Sequence, residues 1–129
     1  MNQFNATVKK IERVENLHLV SFEFGNQTIK MLSLDLNRLL ELESTVRLRV
    51  KSTNIALAKN FTGMLSYANQ LKASIISVNN GVLLSSIGVN VEGFKLESLV
   101  PLESSLSMDL SVGDNVTLLI KGSEVFVCG

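Results

Sequence analysis

The sequence predicts an all-β protein with short helices, built as two small β-barrels in tandem. Three observations carry this. The wording "NQFNATVKKIERV", Asn2 to Val14, returns as "NQLKASIISVNNG", Asn69 to Gly81. The phrase "VKSTNIALAKN", Val50 to Asn60, returns as "IKGSEVFVCG", Ile120 to Gly129. Between these ends lie short aliphatic segments broken by Gly and Asn turns, at the spacing of a small barrel. Self-similarity of this kind marks a repeated structural unit.

The elements follow in order. The first unit opens on a strand that alternates through Ala6, Val8 and Ile11. "LHLVSFEFGNQTIKML" then reads as a hairpin turning at Gly25-Asn26. "DLNRLLELE" reads as a short helix with Asp35 as its N-cap. "STVRLRVKSTNIALA" reads as strand, polar break, strand. The connecting "AKNFTGMLSYA", Ala58 to Ala68, contains Phe61, Met64 and Leu65. It is too apolar for a free tether and is expected to lie against a barrel. The second unit repeats the plan. Ala73, Ile75 and Val78 alternate in its opening strand, and turns fall near Asn79-Asn80-Gly81 and Glu92-Gly93. Pro101 marks a strand end ahead of the helical "LESSLSMDL" from Leu102. "VGDNVTLLIKGSEVFV" adds a turn, then strand, break and strand. The expected division is a first module over 1–60, a linker over 61–68 and a second module over 69–129.

Bulk properties narrow the function. The chain has 129 residues, 46% apolar and 19% charged, which fits a folded globular protein. Twelve basic residues balance 12 acidic ones, so no basic surplus points to nucleic acid. The opening "MNQFNATVKK" lacks the basic start and apolar run of a secretory leader. No apolar stretch reaches the ~20 residues of a membrane span. A cytoplasmic location is expected, with no membrane partner. Cys128 is the sole cysteine and His18 the sole histidine, too few for a His/Cys zinc centre. His18 reads as structural or solvated. No nucleophile motif, P-loop or dinucleotide fingerprint is present, so binding without turnover is expected. A unit of about 60 residues buries only ~60% of its unfolded surface. Docking of the units on each other, or a homo-oligomer, is the remaining remedy.

The lysine in the repeated phrase has two readings. A strand-end lysine commonly keeps the edge solvated and blunted. Alternatively, Lys51 and Lys121 supply charge to an anion, with hydroxyls from Ser52, Thr53 and Ser123. Gly122, and the small residue at 52, would let backbone N–H groups close on the ligand as in a nest. With no stacking aromatic nearby, a compact oxyanion suits this better than a nucleotide.

"ANQLKASIISV" followed by "IKGSEVFV" resembles the Mop (TOBE) domain, a molybdate-binding module. The first unit is similar at Asn2-Gln3 and at "VKSTNIALAKN", so the resemblance spans nearly the whole chain. It implies two tandem OB-like small barrels (a di-Mop chain), with strands exchanged or shared with a partner. It implies molybdate or tungstate as ligand, no organic cofactor, no metal ion held directly by protein atoms, and a homo-oligomer, dimer or trimer. With no helix-turn-helix and no P-loop, the chain is closest to the stand-alone binding form. The family's oxyanion contacts, carried over residue by residue, fall on Lys51 with Ser52 and Lys121 with Gly122. Ser66 matches the opening serine. Ser104 and, more loosely, Ser33 match a Thr/Ser pair.

The chain departs from the family wording in places. Ala68 replaces the opening arginine of the second unit, and Met1 stands where the first would be. Pro101 replaces the threonine. The Met1 amino group is a candidate substitute cation. An arginine would offer a charge-assisted, bidentate partner for a dianion. Its loss leaves a second reading: a ligand-poor regulatory or interaction subunit of a molybdate-responsive regulator or importer. A small nucleic-acid-binding barrel is a third, without the stacking aromatics and basic groove that it needs.

Overall fold

The structure, a computed structural model, describes residues 1–34, 36 and 39–128. The strands are β1 (Asn2–Val14), β2 (Leu17–Phe24), β3 (Gln27–Ser33), β4 (Thr45–Val50) and β5 (Ala56–Ala58) in the first half. The second half has β6 (Asn69–Asn80), β7 (Leu84–Val91), β8 (Phe94–Pro101), β9 (Asn115–Ile120) and β10 (Phe126–Val127). The helix α1 (Leu102–Ser107) follows β8, and 3-10 turns occupy Ser52–Asn54 and Gly122–Glu124. They form two five-stranded antiparallel sheets, ordered β10-β4-β1-β2-β3 and β5-β9-β6-β7-β8.

Period-two alternation sets the buried faces. Phe4, Ala6 and Val8 of β1 point inward, with Val20, Phe22 and Phe24 of β2, Ile29 and Met31 of β3, and Leu48 and Val50 of β4. Leu71, Ile75, Ile87, Val89, Val91, Leu96, Leu118 and Ile120 do the same in the second sheet. All of them belong to one continuous apolar cluster. Two units too small to be robust alone thus share one core.

Both opening strands bend at the same place. The β1–β2 register shifts between Val8 and Lys10, and the β6–β7 register between Ile75 and Ser77. A bulge there raises the local twist and lets one strand serve two neighbours. The Val8 N–H donates to the Ser44 carbonyl, and the Ile75 N–H to that of Asp114, both at 2.9 Å, curling the sheets alike.

The closing strands are exchanged within the chain. β5, from the first half, pairs with β9, and β10, from the second, pairs with β4. Each 3-10 turn carries the chain across, and the residue after it, Ile55 or Val125, is buried. The Ser98 hydroxyl donates to the Ile55 carbonyl at 2.5 Å. The resemblance implies strands exchanged or shared with a partner; the exchange seen here runs within the chain, module to module.

Two hairpin turns stand where the sequence puts them, at Gly25-Asn26 and Glu92-Gly93, and the turn expected near Asn79-Asn80-Gly81 begins only after Asn80, which still pairs in β6. Gly25 holds φ +60°, and a Cβ there would come within 2.5 Å of the Glu92 carboxylate, so a larger residue would have to displace the Glu92 side chain. The second helix is present and starts after Pro101. For the first, Asp35, Asn37 and Arg38 lie outside the described residues. The described remainder, Leu36 and Leu39–Ser44, is not helical. Leu40 is buried there while Leu39 and Leu42 are exposed. In the connecting segment Phe61 borders a shallow groove with Ala73 and Val116, whereas Met64 projects into solvent. Lys59 anchors its start through Asp114 at 2.9 Å and the Met108 and Asp109 carbonyls. No helix among the described residues is long and apolar enough to cross a membrane.

Candidate functional site

The seam between modules is held by side-chain amides that act as peptide groups. β3 and β8 are edge strands. An edge exposes a row of unpaired N–H and C=O groups. Asn69 Oδ1 accepts from the Lys30 N–H at 2.6 Å, and its Nδ2 donates to the Lys30 carbonyl at 2.9 Å. Asn2 does the same to Glu97 of β8, with both bonds at 2.8 Å. Gln27 clamps the N–H and carbonyl of Lys72 in the same way. The repeated "Asn-Gln" opening thus places a buried asparagine on the other module's edge. Sequence reasoning used the repeat as a fold marker and missed this contact.

The two Lys phrases meet across this seam. Lys121 lines a cleft of about 190 Å³ with Thr53 and Asn54 of the first phrase, Tyr67 and Glu124. Asn54 Nδ2 donates to Glu124 Oε2 at 2.8 Å, tying the two 3-10 turns together. Lys51 and Lys121 are exposed and precede their turns in the same extended conformation, with ψ of 140° and 142°.

Around the second phrase several candidates gather. A Cβ on Gly122 would stand 3.4 Å from both the backbone N and the Cβ of Leu32, and 3.6 Å from the Cβ of Ala68. Gly122 therefore faces the end of β3, where Ser33 is the next residue after Leu32. It also faces the segment that carries Ser66 and Ala68 into β6. Ser66 is exposed and Ser33 half-buried. Ser104 stands elsewhere, on α1, where its carbonyl accepts from the Met108 N–H at 3.0 Å.

Around the first phrase the surroundings differ. Ser52 is buried, and its hydroxyl donates to Glu97 Oε1 at 2.9 Å. The Ser86 hydroxyl donates to Glu97 Oε2 at 2.6 Å. The hydrogen bonds from Ser86 and then Ser52, together with the positive Met1 amino group and Lys95, hold the Glu97 carboxyl below the usual carboxylate range against a smaller desolvation effect. Met1, the candidate substitute cation, thus has a protein carboxylate in its field. Glu97 carries no motif and is exposed on an alternating strand, so nothing in the sequence singles it out. Among the described residues no three of His, Cys, Asp and Glu gather as a metal centre.

Comparison with known proteins agrees with this architecture. Residues 65–127 match the TOBE domain family. The fold is similar to that of ModG, a cytoplasmic molybdate-binding protein solved with molybdate bound. The TM-score is 0.90 at 22% identity, over 98% of this chain and 94% of that one. It is also similar to a molybdate-binding protein from Sporomusa ovata, with a TM-score of 0.50 at 28% identity, over 52% of this chain and all of that one. No curated protein matches the chain in sequence. The all-β architecture of two tandem OB-like barrels is thereby shown.

Proposed function

With residues 65–127 a TOBE domain and the first half a repeat of its fold, we propose that the protein binds molybdate or tungstate reversibly, as a cytoplasmic storage or homeostasis protein. The observation that carries this is the seam at the second phrase. There Gly122 from one module lies against Leu32 near the end of β3 from the other and against Ala68, and the preceding Lys121 lines a cleft with Tyr67 of the same segment. Charge comes from Lys121, hydroxyls from Ser66 and Ser33, and close backbone approach from Gly122. Lys51 and Ser52 hold the corresponding positions at the first phrase, where the Ser52 hydroxyl donates to Glu97. Binding needs no covalent change and no organic cofactor. The module division proposed is 1–60 and 69–129, each completed by the other's closing strand.

Calorimetric titration with molybdate, with sulfate and phosphate as competitors, tests the reading. Saturable heat is expected, and silence at millimolar molybdate ends it. Lys121→Ala removes a charge-assisted contact of about 1.5–3 kcal/mol, so affinity is expected to fall roughly 10- to 100-fold. An unchanged affinity would remove Lys121 from the site.

The proposal includes a homo-oligomer, a dimer or a trimer. Val82, Leu83 and Leu106 are 89%, 80% and 61% exposed and border an open groove with Leu102 beside α1. These exposed apolar side chains support association of chains through this face. Light scattering is expected to give two or three times the chain mass of 14.1 kDa. The mass of a single chain would contradict it.

A further inference from the structure

The two halves of the seam are twins in backbone and opposites in charge. The residue of β3 clamped by Asn69 is Lys30, and the residue of β8 clamped by Asn2 is Glu97. Each is the fourth residue of its strand. The first 3-10 turn, with Ser52, reaches Glu97 across the seam, and the second, with Gly122, lies against Leu32 of the strand that holds Lys30.

The residues around the glutamate change with it. Its two oxygens each accept one hydroxyl, from Ser52 and from Ser86. At the twin positions stand Gly122 and Leu19, the third residue of β2 as Ser86 is the third of β7. Hydroxyl donors thus stand at both of these positions beside the carboxylate and at neither twin position beside Lys30, whose cross-strand partner is Ser21 where Glu97 has Gly88. A carboxylate that accepts two hydroxyl hydrogen bonds occupies the donors an oxyanion would use. It also sets a fixed negative charge against an arriving dianion, a repulsion that adds to the loss of those donors.

We propose that Glu97 is a built-in counter-anion that closes the Lys51–Ser52 side to oxyanions, leaving the Lys121–Gly122 side, flanked by Lys30, as the one that loads. This rests on the oxyanion reading above. Glu97 is then a specificity-determining residue that sets how many ions the chain holds. The quasi-symmetric protein is functionally one-sided.

The test is the molar ratio of molybdate bound per chain, measured by calorimetry on the full chain, with thermal melts to confirm folding of each variant. The natural chain is expected to saturate at one ion. Glu97→Gln removes the charge and keeps the shape, and is expected to double the ratio. Adding Ser52→Ala to Glu97→Gln is expected to return it to one. Glu12→Gln, a charge change on β1 two strands away from Leu32, is expected to leave it at one. Lys30→Glu, which installs the blocking charge on the other side, is expected to abolish binding. A natural chain that already takes two ions, or a Glu97→Gln chain that still takes one, overturns the inference and leaves the oxyanion reading standing. If neither chain takes up molybdate, the oxyanion reading itself fails and the inference falls with it.

Discussion

Phe24→Ala is expected to destabilise the protein by about 3–5 kcal/mol, the usual cost of emptying a phenylalanine site in a packed core. Phe24 is fully buried at the end of β2. Its ring lies 4.6 Å from that of Phe4 in its own module and 5.4 Å from that of Phe94 in the other. Truncation therefore opens a cavity and removes aromatic pairing on both sides of the seam. Domains of this size are stable by only about 5–15 kcal/mol, so a large share is lost. Because the apolar cluster is continuous across both modules, the variant is expected to melt in one transition, not two. Urea unfolding followed by circular dichroism measures both features. A loss below about 1 kcal/mol would contradict the packing described here. Two separated transitions would contradict the shared core.

Asn69→Ala is expected to cost roughly 2–4 kcal/mol, although it removes only a small polar side chain. Asn69 is 1% exposed. Its amide satisfies both the N–H and the carbonyl of Lys30 on an edge strand. Without it two backbone groups lose their partners at a seam, each at a cost of about 1–3 kcal/mol less what water restores. Asn69→Asp is a sharper probe. It keeps an acceptor for the N–H but sets a carboxylate oxygen against the Lys30 carbonyl, and is expected to be at least as damaging. Chemical denaturation of both variants checks this. Stability within about 0.5 kcal/mol of the natural chain would show that the clamp contributes nothing.

The fold was largely legible because the repeat is written twice. Paired "Asn-Gln" openings, paired Lys phrases and Gly-marked hairpin turns each specify a local element, and they agree with one another. The exchange of β5 and β10 was not legible from the residues themselves. Strands of two or three residues carry no register signal, and their partner is set by where the 3-10 turn leads the chain. The helix expected after Asp35 rested on an N-cap and propensity alone; part of it lies outside the described residues, and the described part is not helical. At the candidate site, the lysines and small residues stood out by recurrence. Glu97 and Lys30 did not, since a single exposed charge on an alternating strand looks like any solvated position. Their meaning comes from the partner module, through contacts spanning 45 residues for Ser52–Glu97 and 39 for Asn69–Lys30.

The central claim is that a tetrahedral oxyanion sits at the seam where the closing Lys phrase of one module meets the other. Tungstate makes that visible, since tungsten scatters anomalously and matches molybdate in charge and shape. Crystals of the full chain grown with tungstate, measured at the tungsten absorption edge, locate the ion directly. The expected result is an anomalous peak within hydrogen-bond reach of Lys121 and Gly122, on the side of Lys30. A map with no peak along the seam, or with its only peaks on the outer faces of the sheets, would contradict the account.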